Sequence, residues 1–328
     1  MISLSVTIYG QDIHFTMFDL SPTTLNPGLI GGFLGSYRIT GNFREQWPTI
    51  AKYTTPSIAI DVPLLKGFRK QDWVSFSFTT VQDKSGDVFQ LKKTIGWLGA
   101  SYHYVLSPNS SLGFGVQSGG TSFSQYGTAR FGDPSGTDPA YHPSVKGTTN
   151  SGKKTYSDLN VGLVYQSTNS DGNGGINMGV ALYHLTKPNR SFSNSPGPTT
   201  KDKQKVLLNA HAMVSIPLNE SLSIIPGAVL HSISGSKEIA AQIKGDLLIN
   251  KELGVAIQAG TGYRFGDAAF LLFGARIKDL TVGAAYDFNV SSASPSTSGI
   301  GGYELGVSYI GKIYKKPVIK PTIFCPRF

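Results

Sequence analysis

Residues able to do chemistry are few in this chain, and their spacing argues against a shared site. His184, His211 and His231 fall on three successive strand-like segments, where they could meet around a metal ion or form an acid–base set. A strand sends alternate side chains to opposite faces, which separates them. His184 keeps step with Met178, Val180 and Leu182, whereas His211 keeps step with Lys205, Asn209 and Ser215. Asp158, Asp246, Asp287 and Glu304 sit among small residues. Paired acid–base catalysis needs two carboxylates within roughly 5–9.5 Å. The plainer expectation is that these carboxylates face Arg44, Arg264 or Arg276 across a polar interior. The stretch Gly147 to Lys154 approaches a phosphate-binding loop, but Lys154 stands where Ser or Thr must hold magnesium, and a strand pattern follows. No Gly-x-Ser-x-Gly elbow occurs. With a single cysteine, Cys325, neither an internal disulfide nor a multi-cysteine metal site can form. The reading is a non-enzyme without metal or cofactor.

The elements that carry these residues repeat one pattern. About fourteen short alternating segments run from residue 35 to residue 313, without a convincing helix. Leu159, Val161, Leu163 and Tyr165 interleave with Asp158, Asn160, Gly162 and Gln166. Leu280, Val282, Ala284, Tyr286 and Phe288 interleave with Thr281, Gly283, Asp287 and Asn289. One face is continuously apolar and the other small or polar. A soluble barrel turns the apolar face inward; a membrane barrel turns it to lipid.

Composition favours lipid. Charged residues make up 15% of the 328, below the roughly 25% of ordinary soluble proteins. Mean hydropathy is still only −0.07, because alternate residues alone meet lipid in such a barrel. No apolar run approaches the ~18 residues of a membrane helix, so spanning falls to strands. The net charge of +9 comes from Lys and Arg spread over loops and strand ends, without the aromatic interleaving of a nucleic-acid site.

Loop lengths sort by parity. Even connections are mostly brief, as at 107–111, 217–221 and Lys278-Asp279, while the long ones at 119–155, 187–203 and 291–301 are all odd. That is the asymmetry of outer-membrane barrels, and an even strand count leaves both barrel ends on the short-turn side. The expected organisation is a signal-peptide remnant at 1–10, an irregular segment at 11–34 that plugs the lumen or lies beneath it, a barrel at 35–313 and a periplasmic tail at 314–328. Pro317, Pro321 and Pro326 stop the tail from extending the last strand.

The two ends carry a family pattern. Gln11, Asp12, His14 and Phe15 open it, Leu25-Asn26-Pro27-Gly28 follows, then Phe43-Arg44-Glu45-Gln46-Trp47, and the chain closes Cys325-Pro326-Arg327-Phe328. In these residues the chain resembles the PorP/SprF family of type IX secretion system outer-membrane proteins. Ile13 and Gly28 depart from the family's usual proline and alanine. The resemblance implies a monomeric outer-membrane barrel of a Bacteroidetes-type bacterium, serving type IX secretion or gliding motility. It further implies a secreted surface protein, an adhesin or another secretion component as partner, with the motif residues as candidate contacts. From periodicity alone, a diffusion porin or hydrophobic-solute transporter is the alternative, and a lipid-acting barrel enzyme a third.

Overall fold

Alternation along the chain closes into a single antiparallel barrel. In the computed structural model the described residues are 12–48, 52–67, 69, 71–86, 90–126, 153–169, 174–190, 203–291 and 294–313. The strands are β1 (Tyr37–Gln46), β2 (Tyr53–Lys66), β3 (Trp73–Ser85), β4 (Gln90–Ser107), β5 (Ser110–Tyr126), β6 (Lys153–Thr168) and β7 (Gly175–Tyr183). They continue as β8 (Leu207–Pro217), β9 (Leu222–Ile233), β10 (Ser236–Asn250), β11 (Val255–Arg264), β12 (Ala268–Ile277), β13 (Leu280–Asn289) and β14 (Ile300–Gly311). Each strand pairs with its sequence neighbour, and β1 closes the ring on β14 from Tyr37↔Gly311 to Gln46↔Gly302. Closure leaves no free sheet edge around the ring, which a lipid-exposed sheet requires.

The outer face bears the apolar set. Leu163, Val180, Leu182, Val282 and Tyr309 are all exposed on it, as alternation required. Odd connections lie at one end of the barrel, which we term the long-loop end, and even connections at the short-turn end. Turn chemistry fits locally: Ser234 and Gly235 join β9 to β10 with both φ angles positive, as a two-residue hairpin of matching twist demands.

Two boundaries differ from the sequence expectation. β5 continues to Tyr126 and β6 begins at Lys153, so the long loop shrinks to 127–152. Residues 118–122, Ser-Gly-Gly-Thr-Ser, carry no hydrophobic alternation, yet pair along β4 and β6 throughout. Arg44 is buried in the lumen, 2% exposed, as its expected pairing with the carboxylates requires. Gln11, the segment 1–10, residues 147–152 of the phosphate-loop-like stretch, and the tail 314–328 with Cys325, Pro326, Arg327 and Phe328 lie outside the described residues.

Candidate functional site

The described core is the lumen, and the amino-terminal segment fills it. Residues 12–36 contain only short helical turns, at Phe18–Leu20, Pro22–Leu25 and Pro27–Leu29. Fourteen strands enclose more space than wall side chains can fill, a limit reached near eight. Phe15, Met17, Phe18, Leu20, Leu25, Leu29 and Ile30 are buried there. Met17, Phe18, Leu20, Leu25 and Leu29 form one cluster with wall residues Val164, Val229, Phe270 and Leu272.

An irregular backbone inside a barrel must find hydrogen bonds outside itself. The wall supplies them with side chains. Gln117 donates to the carbonyl of Thr23 at 2.9 Å, Tyr183 to Thr24 at 2.8 Å and Asn209 to Leu25 at 2.7 Å. Lower down, Trp73 Nε1 donates to the Gly31 carbonyl at 3.0 Å, and Asp61 accepts from the Gly31 N–H at 2.7 Å while paired with Arg38. The Ile30 carbonyl meets Ser101 Oγ and His103 Nε2.

Glycines let the segment lie against the wall. Gly28 packs on β5 and β6, where an added Cβ would stand 2.8 Å from the Gly113 carbonyl oxygen and 2.9 Å from Val164 Cγ2. The family's usual alanine would therefore need the wall to shift, which accounts for glycine here. Asn26, fully buried, accepts from the Gly28 N–H at 2.8 Å and donates to the Leu163 carbonyl at 3.2 Å. Ile13, the other departure, packs against a cluster containing Val81, Ile95, Trp97 and Leu207.

The segment runs the length of the barrel. Its start lies at the long-loop end, where Asp12 meets Lys93 at 2.8 Å and His184 at 2.7 Å. Its finish lies at the short-turn end, where the Ser36 N–H donates to Gly311 before β1 begins. Both barrel termini are on the short-turn side as expected, but the plug returns the preceding chain to the opposite end.

A buried charge network holds that upper end. Glu304 accepts the N–H groups of Thr16 and Met17 at 2.7 and 3.0 Å. Arg44 and Arg264 both reach Asp287 at 3.1 Å, and Arg264 also donates to Thr16 Oγ1 at 2.8 Å. Towards the short-turn end Arg276, half-exposed, pairs with Asp246 at 2.8 Å, so three of the four lumenal carboxylates face arginines as the sequence suggested. The fourth, Asp158, bonds instead to His184 Nδ1. Parity had assigned His184 to the lipid face. The residue lies just past β7 with φ of 63°, and that left-handed turn sends its ring inward between Asp158 and Asp12.

The three histidines do not converge. His211 Nε2 lies 3.1 Å from Asn177 Oδ1, and His231 packs near the His14 ring at 5.8 Å. Among the described residues no group of three His, Cys, Asp or Glu is arranged to hold a metal. His14 Nε2 lies 3.5 Å from Glu238, while burial and the nearby Arg44 and Arg264 hold its ring well below the usual histidine range. Gln46 lies at the rim end of β1, and Trp47, with φ of 46°, sets its ring edge-on to Tyr53.

A closed fourteen-stranded ring, apolar outside and packed with its own amino-terminal segment inside, defines an outer-membrane barrel with an internal plug. The chain belongs to the family of type IX secretion system membrane proteins PorP/SprF, whose model matches residues 7–309. Among solved structures it is similar in fold to the toluene transporter TbuX of Ralstonia pickettii (TM-score 0.51, 11% identity, 90% of this chain and 94% of that one). A FadL homologue of Pseudomonas aeruginosa is comparable (0.50, 13%, 87% and 92%), as is the P. putida toluene transporter TodX (0.50, 10%, 89% and 93%). At such identities the likeness concerns the fold. No curated protein matches the chain. Family and fold place it in the bacterial outer membrane.

Proposed function

We propose that this barrel is a non-enzymatic docking component of the type IX machinery, monomeric in itself, that receives a secreted surface protein or another secretion subunit at its long-loop end. The observation carrying this reading is the filled lumen. Between plug and wall a cavity bordered by Asp12, Trp97, Tyr183 and His231 measures about 20 Å³, room for little more than a water. Long loops face the cell exterior in such barrels, so a partner arriving there meets the rim and the ion-paired start of the plug. The family motifs fit this reading as the parts that build the plug: Asp12, Asn26 and Arg44 all tie segment to wall.

The rival reading is a diffusion porin or hydrophobic-solute transporter, since two of the fold relatives are toluene transporters. It requires a path that the plug occupies. Affinity purification of the tagged chain from native membranes in mild detergent tests the proposal. Near-stoichiometric recovery of one secreted surface protein or secretion subunit is expected. A barrel that is always isolated alone, and that passes solutes in liposomes, would overturn it.

A further inference from the structure

On one side of the barrel the outward face changes character well before the strands end. Along β11, β13 and β14 large apolar residues reach the long-loop end, as Phe265, Phe288 and Tyr303 show by their exposure. Along β3 to β6 the exposed Phe78, Leu98 and Val116 are the last large apolar residues on the outward face of three strands, and Leu159 ends the outward set on β6. Beyond them the outward positions are Thr80, Gln82, Thr94, Ser122, Thr155 and Ser157. These four strands have 13, 18, 17 and 16 residues, against 10 for β11 to β13. They therefore rise as a polar sheet above the membrane.

That sheet ends in a row of lysines. Lys84 on β3 lies directly opposite Lys92 on β4, Lys92 opposite Ser124 on β5, and Ser124 opposite Lys153 on β6. Parity turns all three ammonium groups outward, away from the lumen and its carboxylates. Like charges directly opposite in a strand pair repel. Among the described residues none of the three has an acidic partner; Asp87, between β3 and β4 in the sequence, lies outside them. Each lysine stands six positions beyond the last large apolar residue on the outward face of its strand, counting from Phe78, Leu98 and Leu159. At about 3.3 Å per residue and a tilt near 40°, that is roughly 15 Å above the apolar band. A phospholipid head-group layer is only about 5–8 Å deep. The row thus faces the level of the sugars carried by outer-leaflet glycolipid.

We infer that Lys84, Lys92 and Lys153 form a binding surface for the anionic groups, phosphate or carboxylate, on the sugar portion of outer-leaflet glycolipid. The like-charge row is relieved when such a polyanion bridges it. The site rests on the outward orientation of the long loops and not on the docking of a secreted protein, so either can fail alone.

The test uses the full chain in phosphatidylcholine nanodiscs, with and without rough-form lipopolysaccharide. Glycolipid retained per barrel is counted by native mass spectrometry. A lysine near an anionic surface is worth roughly fivefold in affinity, so the K84Q/K92Q/K153Q variant should retain glycolipid on the order of a hundredfold less strongly at low salt. The K84R/K92R/K153R variant should retain it, and in phosphatidylcholine alone the glutamine variant should unfold no lower than the wild type. Should the glutamine variant fail to fold, wild-type barrel offered dephosphorylated, carboxyl-reduced lipopolysaccharide must lose retention instead. Unchanged retention in either arm overturns the inference. So does a glutamine variant that keeps its glycolipid but releases a co-purifying secreted protein.

Discussion

Arg44 donates from Nη1 to the main-chain carbonyl of His14 at 2.7 Å, joining two sequence motifs thirty residues apart. One motif opens the plug and the other ends the first strand, so their shared residues have a common physical purpose: fastening the segment inside the ring. Arg44 also contacts Asp287 and lies 4.0 Å from Glu304, with both carboxylates buried. Arg44→Leu leaves Glu304 without a cation and Asp287 with Arg264 alone. Breaking a buried pair in this way costs about 3–5 kcal/mol. Urea unfolding followed by heat-modifiable gel mobility should show a loss of this order, and wild-type stability in the variant would contradict the network.

Gly115 and Gly162 admit the turn at Asn26-Pro27. A side chain on Gly115 would overlap the Pro27 carbonyl, and one on Gly162 would overlap the Asn26 side chain. Gly115→Val should displace the plug while the wall, tied by its own ladder, still forms. Protease should then cleave between residues 12 and 30 in the folded variant and spare the wild type.

On the outer face, Val180 is 48% exposed. Val180→Arg should destabilise the barrel by about 2–4 kcal/mol if this position lies near the bilayer midplane. Equal folding yields of variant and wild type in phosphatidylcholine vesicles would move that position out of the hydrocarbon.

Much of this architecture is legible in the sequence, and the physical reason is period two. Where one face meets lipid, as on β13, alternation is continuous from Leu280 to Phe288. Where β5 leaves the membrane through Gly119 and Gly120, no apolar pressure writes a pattern, and the strand reads as loop. The pairing of Arg44, Arg264 and Arg276 with lumenal carboxylates is likewise readable, since a polar face must neutralise itself. The plug's direction is not. It depends on main-chain carbonyls finding Gln117, Tyr183 and Asn209 across long sequence distances, and nothing periodic records that. His184 escaped because a single left-handed residue reverses the parity rule.

His184 also sets a pH limit on the plug's upper end. Burial alone would lower its pKa, but the Asp12 charge and hydrogen bonds to Asp12 and Asp158 outweigh it and raise the value from 6.5 to about 9. A raised folded-state value means this contribution is complete below about pH 6.5 and is lost as pH rises through about 9. Asp12 sets the opposite edge: burial raises its pKa, yet Lys93 and His184 prevail and hold it well below 3.8, so its contribution is present above that value and fades only in stronger acid. Protease access to residues 12–20 should therefore increase on the alkaline side near pH 9. His184→Gln should abolish that alkaline step, and a step that persists in the variant would assign it elsewhere.

Single-channel recording in planar bilayers separates a plugged docking barrel from a conduit most directly. The intact chain should show no sustained conductance at neutral pH, whereas the same barrel lacking residues 11–30 should open in large, stable steps. Steady conductance from the intact chain, unchanged by that deletion, would contradict a lumen closed by its own amino-terminal segment.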